Sequence, residues 1–133
     1  MTESLKKSLN ILIFVESRYR VSRKRIKATV ASVLEEQKIN SPLEVSIAIV
    51  GDRKMKALNF KYRQKDSTTN ILSFPLSEGE NTHLPEDVLR LGDIVISYPQ
   101  VIREASRDEK LVDDWIDELV SHGMLHLLGL HHE

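Results

Sequence analysis

Hydrophobic residues recur along this chain with two periods, one close to two residues and one close to four. Leu9 to Ser17 (LNILIFVES) is rich in β-branched side chains and predicts a strand, as does the alternating run Leu43 to Gly51 (LEVSIAIVG). A helical stripe follows each: Ile26, Val30, Val33 and Leu34 in a helix starting near Ser22, then Met55, Leu58 and Tyr62 in a helix capped by Asp52. After the polar turn KDSTT (Lys65 to Thr69), NILSFP (Asn70 to Pro75) predicts a brief strand. Pro75 ends it or confines it to a sheet edge, because proline cannot donate to a ladder. A polar loop from Ser77 to Glu86 leads to a fourth strand, LGDIVISYP at Leu91 to Pro99, and Ser97 with Pro99 starts a helix running toward Lys110. The last helix spans about Val112 to Leu128.

This order, β-α-β-α-β-β-α-α, predicts an α+β fold with a small mixed four-stranded sheet covered by helices. The second half of the final helix is apolar nearly all round (Met124, Leu125, Leu127, Leu128), which marks it as a buried central helix. At 133 residues the chain fits one domain over residues 1–133. With 41% apolar and 29% charged residues it can bury a core of its own, so disorder is excluded for the body. The longest early apolar run, ILIFV at Ile11 to Val15, is too short to span a membrane and lacks the flanks of a signal peptide, so a cytoplasmic location is expected.

Charge and cysteine content narrow the chemistry. There is no cysteine, so any metal must be held by nitrogen and oxygen donors. The net charge of −1 conceals 15 Lys/Arg against 6 Asp/Glu in residues 1–65 and 4 against 14 in the remainder. A split of that size fits a basic surface for a polyanion beside an acidic remainder, or simply two solvated faces. No internal repeat, low-complexity tract or phosphate-binding glycine loop is present.

Four of the five histidines lie in the closing stretch SHGMLHLLGLHHE, Ser121 to Glu133. At about 100° per residue, His122 and His126 stand one turn apart on the stripe of Trp115 and Leu119, so both imidazoles can reach one point. Gly129 sits where a helix ends in a left-handed residue, and the turn it allows would bring His132 back toward the pair. Three neutral imidazoles plus water make an open tetrahedral zinc site. The spacing is that of the metzincin zinc endopeptidases, but those carry glutamate after the first histidine as general base, and Gly123 stands there. A glycine inside a helix costs about 1 kcal/mol relative to alanine, so either a strand or substrate runs close past it or the helix packs tightly on the sheet. Neither Ser73 nor Ser97 lies in anything like a nucleophile elbow, and both are set aside as nucleophiles. His131 reads as exposed or as a support to the metal, and His83 in the polar loop has no role.

The chain resembles the YbeY family of bacterial metal-dependent endoribonucleases involved in ribosomal RNA maturation. Four features carry the likeness: LNFKYRQKDSTTNILSFP (Leu58 to Pro75), LGDIVIS (Leu91 to Ser97), DELVSHGMLHLLGLHH (Asp117 to His132) and the order of strands and helices. The resemblance implies one zinc ion on His122, His126 and His132, a functional arginine at Arg63, cleavage of single-stranded RNA, and a role with ribosomal RNA and proteins of the small ribosomal subunit. Three departures stand out. Leu130 and His131 replace the family's usual tyrosine and aspartate, Asn70 replaces its usual aspartate, and this sequence ends at Glu133 where the family commonly continues with a further helical segment. Metal binding is expected to tie His132 down.

In this reading zinc activates water or polarises a phosphoryl oxygen, and Arg63 stabilises the charge of the phosphorane. Cations around the first helix (Arg18, Arg20, Arg23, Lys24, Arg25, Lys27) oppose its dipole, and with Lys54, Lys56, Lys61 and Lys65 they are expected to form one track for an RNA backbone. Two other readings use the same residues. One is a zinc peptidase or amidase that draws on Asp66 or Glu118 as base; the other is a ribosome assembly factor with a closed structural metal.

Overall fold

The computed structural model describes residues 9–76 and 88–130. Among them the chain forms β1 (Leu9–Val15), α1 (Arg23–Glu36), β2 (Leu43–Val50), α2 (Asp52–Arg63), β3 (Ile71–Pro75), β4 (Leu89–Ser97), α3 (Tyr98–Arg107) and α4 (Val112–Leu127), the expected order. The strands make one sheet in the order β1-β2-β4-β3. β1 and β4 flank β2 in parallel, and β3 runs antiparallel to β4 at the edge, so the sheet is mixed and Pro75 lies on an edge strand as its missing N–H requires.

Alternation along the strands divides the structure into two unequal layers. On one face Val45, Ile47, Ile49, Ile94 and Ile96 meet Ile26, Val30, Val33 and Leu34 of α1, Val101 of α3, and Ile116, Leu119, Val120, Met124 and Leu127 of α4. This is the main core, and α4 is its buried centre. On the other face Val50, Met55, Leu72 and Val95 form a small second core with Ala48, Leu58 and Phe74 against α2. α2 covers only part of that face, and Leu12 and Phe14 of β1 remain 47% and 60% exposed beside it.

Three local expectations change. Tyr62 does not belong to a buried stripe: it is 56% exposed, and its ring lies 5.0 Å from that of Phe74. The buried α2 positions are Met55 and Asn59, the latter because its amide donates to the Ser67 carbonyl at 2.8 Å and holds the turn before β3. Asp52 is not the cap of α2; Gly51 takes that position without a side-chain bond, and the Asp52 carboxylate serves the neighbouring elements instead. α3 ends at Arg107 rather than near Lys110, although Ser97 caps its start by accepting from the Gln100 amide.

Candidate metal centre

Two glycines set the distance between α4 and the sheet. A Cβ on Gly123 would lie 2.9 Å from Ile94 Cδ1 and 3.2 Å from Ile71 Cδ1. Of the two accounts of this residue, tight helix-on-sheet packing is therefore the one the fold uses. Gly92 of β4 has φ +145°, and a Cβ there would lie 2.3 Å from the Phe74 carbonyl oxygen and 3.0 Å from Leu127 Cδ2. The register slips beside it, between Glu44 and Val45 of β2, as a bulge does. One turn beyond Gly123, the helix reaches the edge strand, and Nδ1 of His126 is hydrogen bonded to Oγ of Ser73. Ser73 pairs across the ladder with Ile94 and shares its face.

His126 is half-buried and His122 exposed, on successive turns of α4. The helix ends as its sequence predicts: Gly129 has φ +79°, its N–H donates to the His126 carbonyl, and the Leu130 N–H donates to the Leu125 carbonyl at 2.8 Å. That turn redirects the chain immediately after the histidine pair. His131, His132 and Glu133 lie outside the described residues, as do His83 and the polar loop. Among the described residues no group of three or more metal-ligating side chains gathers. The donor chemistry fits zinc nonetheless: two imidazoles in the i, i+4 relation on one helix, one of them held through Nδ1 by Ser73.

Arg63 is the last residue of α2, exposed and without an ion pair among the described residues. The structure does not join it to the histidines. Ser73 faces α4 and its neighbour Phe74 faces Tyr62 of α2, so Arg63 and His126 flank the edge strand from opposite faces of the sheet. Asp66 and Glu118 are engaged elsewhere, with Lys56 at 3.7 Å and Lys110 at 3.3 Å. Ser73 does meet a histidine, but from the middle of a strand rather than from a strained turn.

The approach to β3 is held by two carboxylates that sequence reasoning did not single out. Glu104 of α3 accepts from Asn70 Nδ2 at 3.0 Å, Trp115 Nε1 at 2.9 Å and Gln100 Nε2 at 3.0 Å. Asp52 accepts from Ser97 Oγ at 2.9 Å and Thr68 Oγ1 at 3.1 Å and pairs with Arg103 at 2.9 Å. Burial pushes each carboxyl up, but the hydrogen bonds together outweigh it: from Arg103, Ser97 and Thr68 for Asp52, and from Gln100, Asn70 and Trp115 for Glu104. Both are held below the ordinary carboxylate range. Asn70 thus has a structural reason to be an amide, since a carboxylate in its place would face Glu104. Nothing local in the sequence marks that pairing, which spans 34 residues.

The basic residues do not form one track. α1 packs on the main-core face and α2 on the other, so their cations point into different solvent. Those near α1 are partly spent: Arg25 binds Asp114 at 2.8 Å and Asp117 at 2.6 Å, Arg18 pairs with Glu16, and Arg23 donates to the Ile13 carbonyl. On and just after α2, exposed Arg53, Lys54, Lys61, Arg63 and Lys65 have no ion pair among the described residues, and Phe60 and Tyr62 are exposed between them.

Residues 13–133 match the family model described as Endoribonuclease YbeY. The chain belongs to the YbeY family. Proteins of that name are 42% identical over 98 residues in Magnetococcus marinus, 46% over 90 residues in an Anaeromyxobacter species and 37% over 113 residues in Acinetobacter baumannii. These matches take in 70%, 68% and 85% of this chain and 67%, 44% and 72% of those proteins, so the chain spans only part of the length of its YbeY relatives. The solution structure of TM1509 from Thermotoga maritima aligns with a TM-score of 0.58 and 28% identity over 92% of this chain and 75% of that one.

Proposed function

We propose that this protein is a zinc-dependent endoribonuclease that cleaves single-stranded RNA in ribosomal RNA maturation and small-subunit quality control. The observation that carries the reading is the His122/His126 pair on a buried helix, with His126 anchored through Nδ1 to Ser73. Family membership supplies the reaction class. His122 and His126 would hold one zinc ion with His132 as third ligand. Bound zinc supplies a Lewis acid that lowers the pKa of water to about 7 and polarises a phosphoryl oxygen.

The chain's own residues do the rest. Arg63, which has no ion pair among the described residues, binds the phosphodiester and stabilises the charge that builds on its oxygens, reaching round the edge strand from α2. The α2 surface binds the flanking RNA: its cations take phosphates, and exposed Phe60 and Tyr62 offer faces for unstacked bases. A peptidase reading is disfavoured because Asp66 and Glu118, its candidate bases, are bound by lysines. The expected setting is the cytoplasm, with ribosomal RNA and small-subunit proteins as partners; among the described residues no helix is long and apolar enough to cross a membrane.

The test is metal analysis and RNA cleavage on the wild type, His126→Ala and Arg63→Ala. Metal lost only from His126→Ala, with cleavage lost from both variants, is the expected outcome. Cleavage that persists without metal would sink the proposal.

A further inference from the structure

We propose that the cavity between α2 and the turn before β3 is a subsite for one unstacked base of a single-stranded RNA, with Phe60 as its stacking face. The cavity holds about 720 Å³, walled on one side by Arg53, Lys56, Ala57 and Phe60 of α2 and on the other by the turn from Asp66 to Thr68. That volume falls within the range of small-molecule sites. The assignment rests on the RNA reading above and adds where a base enters.

Phe60 and Tyr62 are two residues apart, about 200° round the helix, so they serve opposite sides of α2. Tyr62 turns to Phe74 on the edge strand, whereas Phe60 turns to the cavity. With 60% of its surface exposed, Phe60 has area to give to a flat partner. Ala57, three residues earlier on the same wall, is exposed and leaves the width that a base needs. The turn wall is preformed: Asn59 Nδ2 donates to the Ser67 carbonyl at 2.8 Å, and Thr68 Oγ1 donates to Asp52 at 3.1 Å.

Charge selects a nucleotide rather than a neutral ring. Asp52 is paired with Arg103 and Lys56 with Asp66, whereas Arg53 has no ion pair among the described residues. One uncompensated cation suits the one phosphate that each nucleotide brings. The Lys56–Asp66 pair joins the two walls at 3.7 Å, but its members are 55% and 78% exposed, so it opens at small cost. Once it is open, Lys56 can add to the phosphate contact and the Asp66 carboxylate can accept from a base amine. Arg63 stands three residues beyond Phe60, where side chains on a helix are neighbours about 5 to 6 Å apart at Cβ. A base seated on Phe60 thus leads its strand to the arginine that binds the phosphodiester.

The test is equilibrium binding to the full chain of a single-stranded 2′-O-methyl RNA octamer, which resists cleavage, beside an abasic octamer of the same backbone. Phe60→Ala and Ala57→Leu should each weaken the octamer roughly 10- to 100-fold. The abasic strand, held through phosphates, should stay within about twofold of the wild type. Phe60→Trp, which keeps a ring, should retain the octamer affinity, and thermal melts should show all three variants folded because both positions are exposed. Octamer affinity unchanged in Phe60→Ala and Ala57→Leu, or equal losses for the two strands, would overturn the subsite and leave the nuclease reading intact. Phe60-dependent octamer binding by a protein that cuts no RNA would overturn the nuclease reading and support the subsite. A wild type that binds neither strand would overturn both. Cytidine monophosphate bound as tightly as the octamer would make the cavity a free-nucleotide site and overturn the RNA assignment.

Discussion

The two faces of the sheet solve different problems. On one, α1, α3 and α4 enclose a dry core of branched side chains, and the helix–sheet distance is set by glycines whose missing Cβ atoms would lie within 3 Å of the neighbouring layer. On the other, among the described residues, α2 alone covers a much smaller apolar patch and turns a row of cations without ion pairs to solvent. A metal ligand needs a ring held to within a hydrogen bond, which only close packing provides. A polyanion that must bind and leave needs charge without rigid partners, which a thinly packed, solvated helix supplies.

The largest test of this contrast is in the cores. Ile94→Ala, on the α4 face, should cost about 4 kcal/mol in urea unfolding, and Leu72→Ala, on the α2 face, about 2 to 3 kcal/mol. Equal costs, or the reverse order, would break the picture of one tight and one thin layer.

The carboxylate anchors behind β3 come next. Asn70→Asp should place a second carboxylate against Glu104 and destabilise the protein at pH 7 by roughly 1 to 2 kcal/mol. One acid of that new pair is raised above its unfolded value, so the loss should shrink as pH falls toward 5. The wild type should behave oppositely. Asp52 and Glu104 are lowered in the fold, so their contribution is present above the unfolded carboxyl pKa of about 4 and is lost as pH falls through the folded values. Unfolding curves for both proteins across that range check the two signs together.

Gly123→Ala sharpens the contrast further. Overpacking against Ile94 costs about 1 to 3 kcal/mol, and the better helix propensity of alanine returns about 1, so a net loss of roughly 1 kcal/mol is expected. Zinc affinity should fall with it, because α4 is lifted from Ser73. Unchanged affinity would detach the packing of the helix from the site.

The smallest effect on stability should come from the other face. Lys54→Ala with Lys61→Ala should change it by less than about 0.5 kcal/mol, yet reduce the salt dependence of single-stranded RNA binding by a slope of roughly 0.7 per lysine. Arg25→Ala should do the converse, lowering the melting temperature by releasing Asp114 and Asp117 while leaving that slope alone. An equal salt effect from both would mean that the two faces share one RNA path after all.

Much of this was legible along the chain. Element order, the mixed sheet with Pro75 at its edge, the buried final helix and its glycine stop follow from periodicity and from two residues with restricted or unusual backbones. The i, i+4 histidine pair is equally local. Tyr62 misled because a helical stripe shows which side chains share a direction but not how far the sheet beneath extends. The cations misled for a related reason: their number is written in the sequence, but a strand's alternation sends α1 and α2 to opposite faces.

What repeats within a few residues was written locally: the strands, the helices, the Ser97 cap of α3 and the i, i+4 spacing of His122 and His126. Which distant groups meet was set by the packing of strands and helices. Ser73 lies 53 residues before His126, and Asn70 34 before Glu104. Such pairs depend on strand order and on how closely a helix can approach a sheet. That approach is set at Gly123, where the absence of a side chain lets packing bring an imidazole to a hydroxyl.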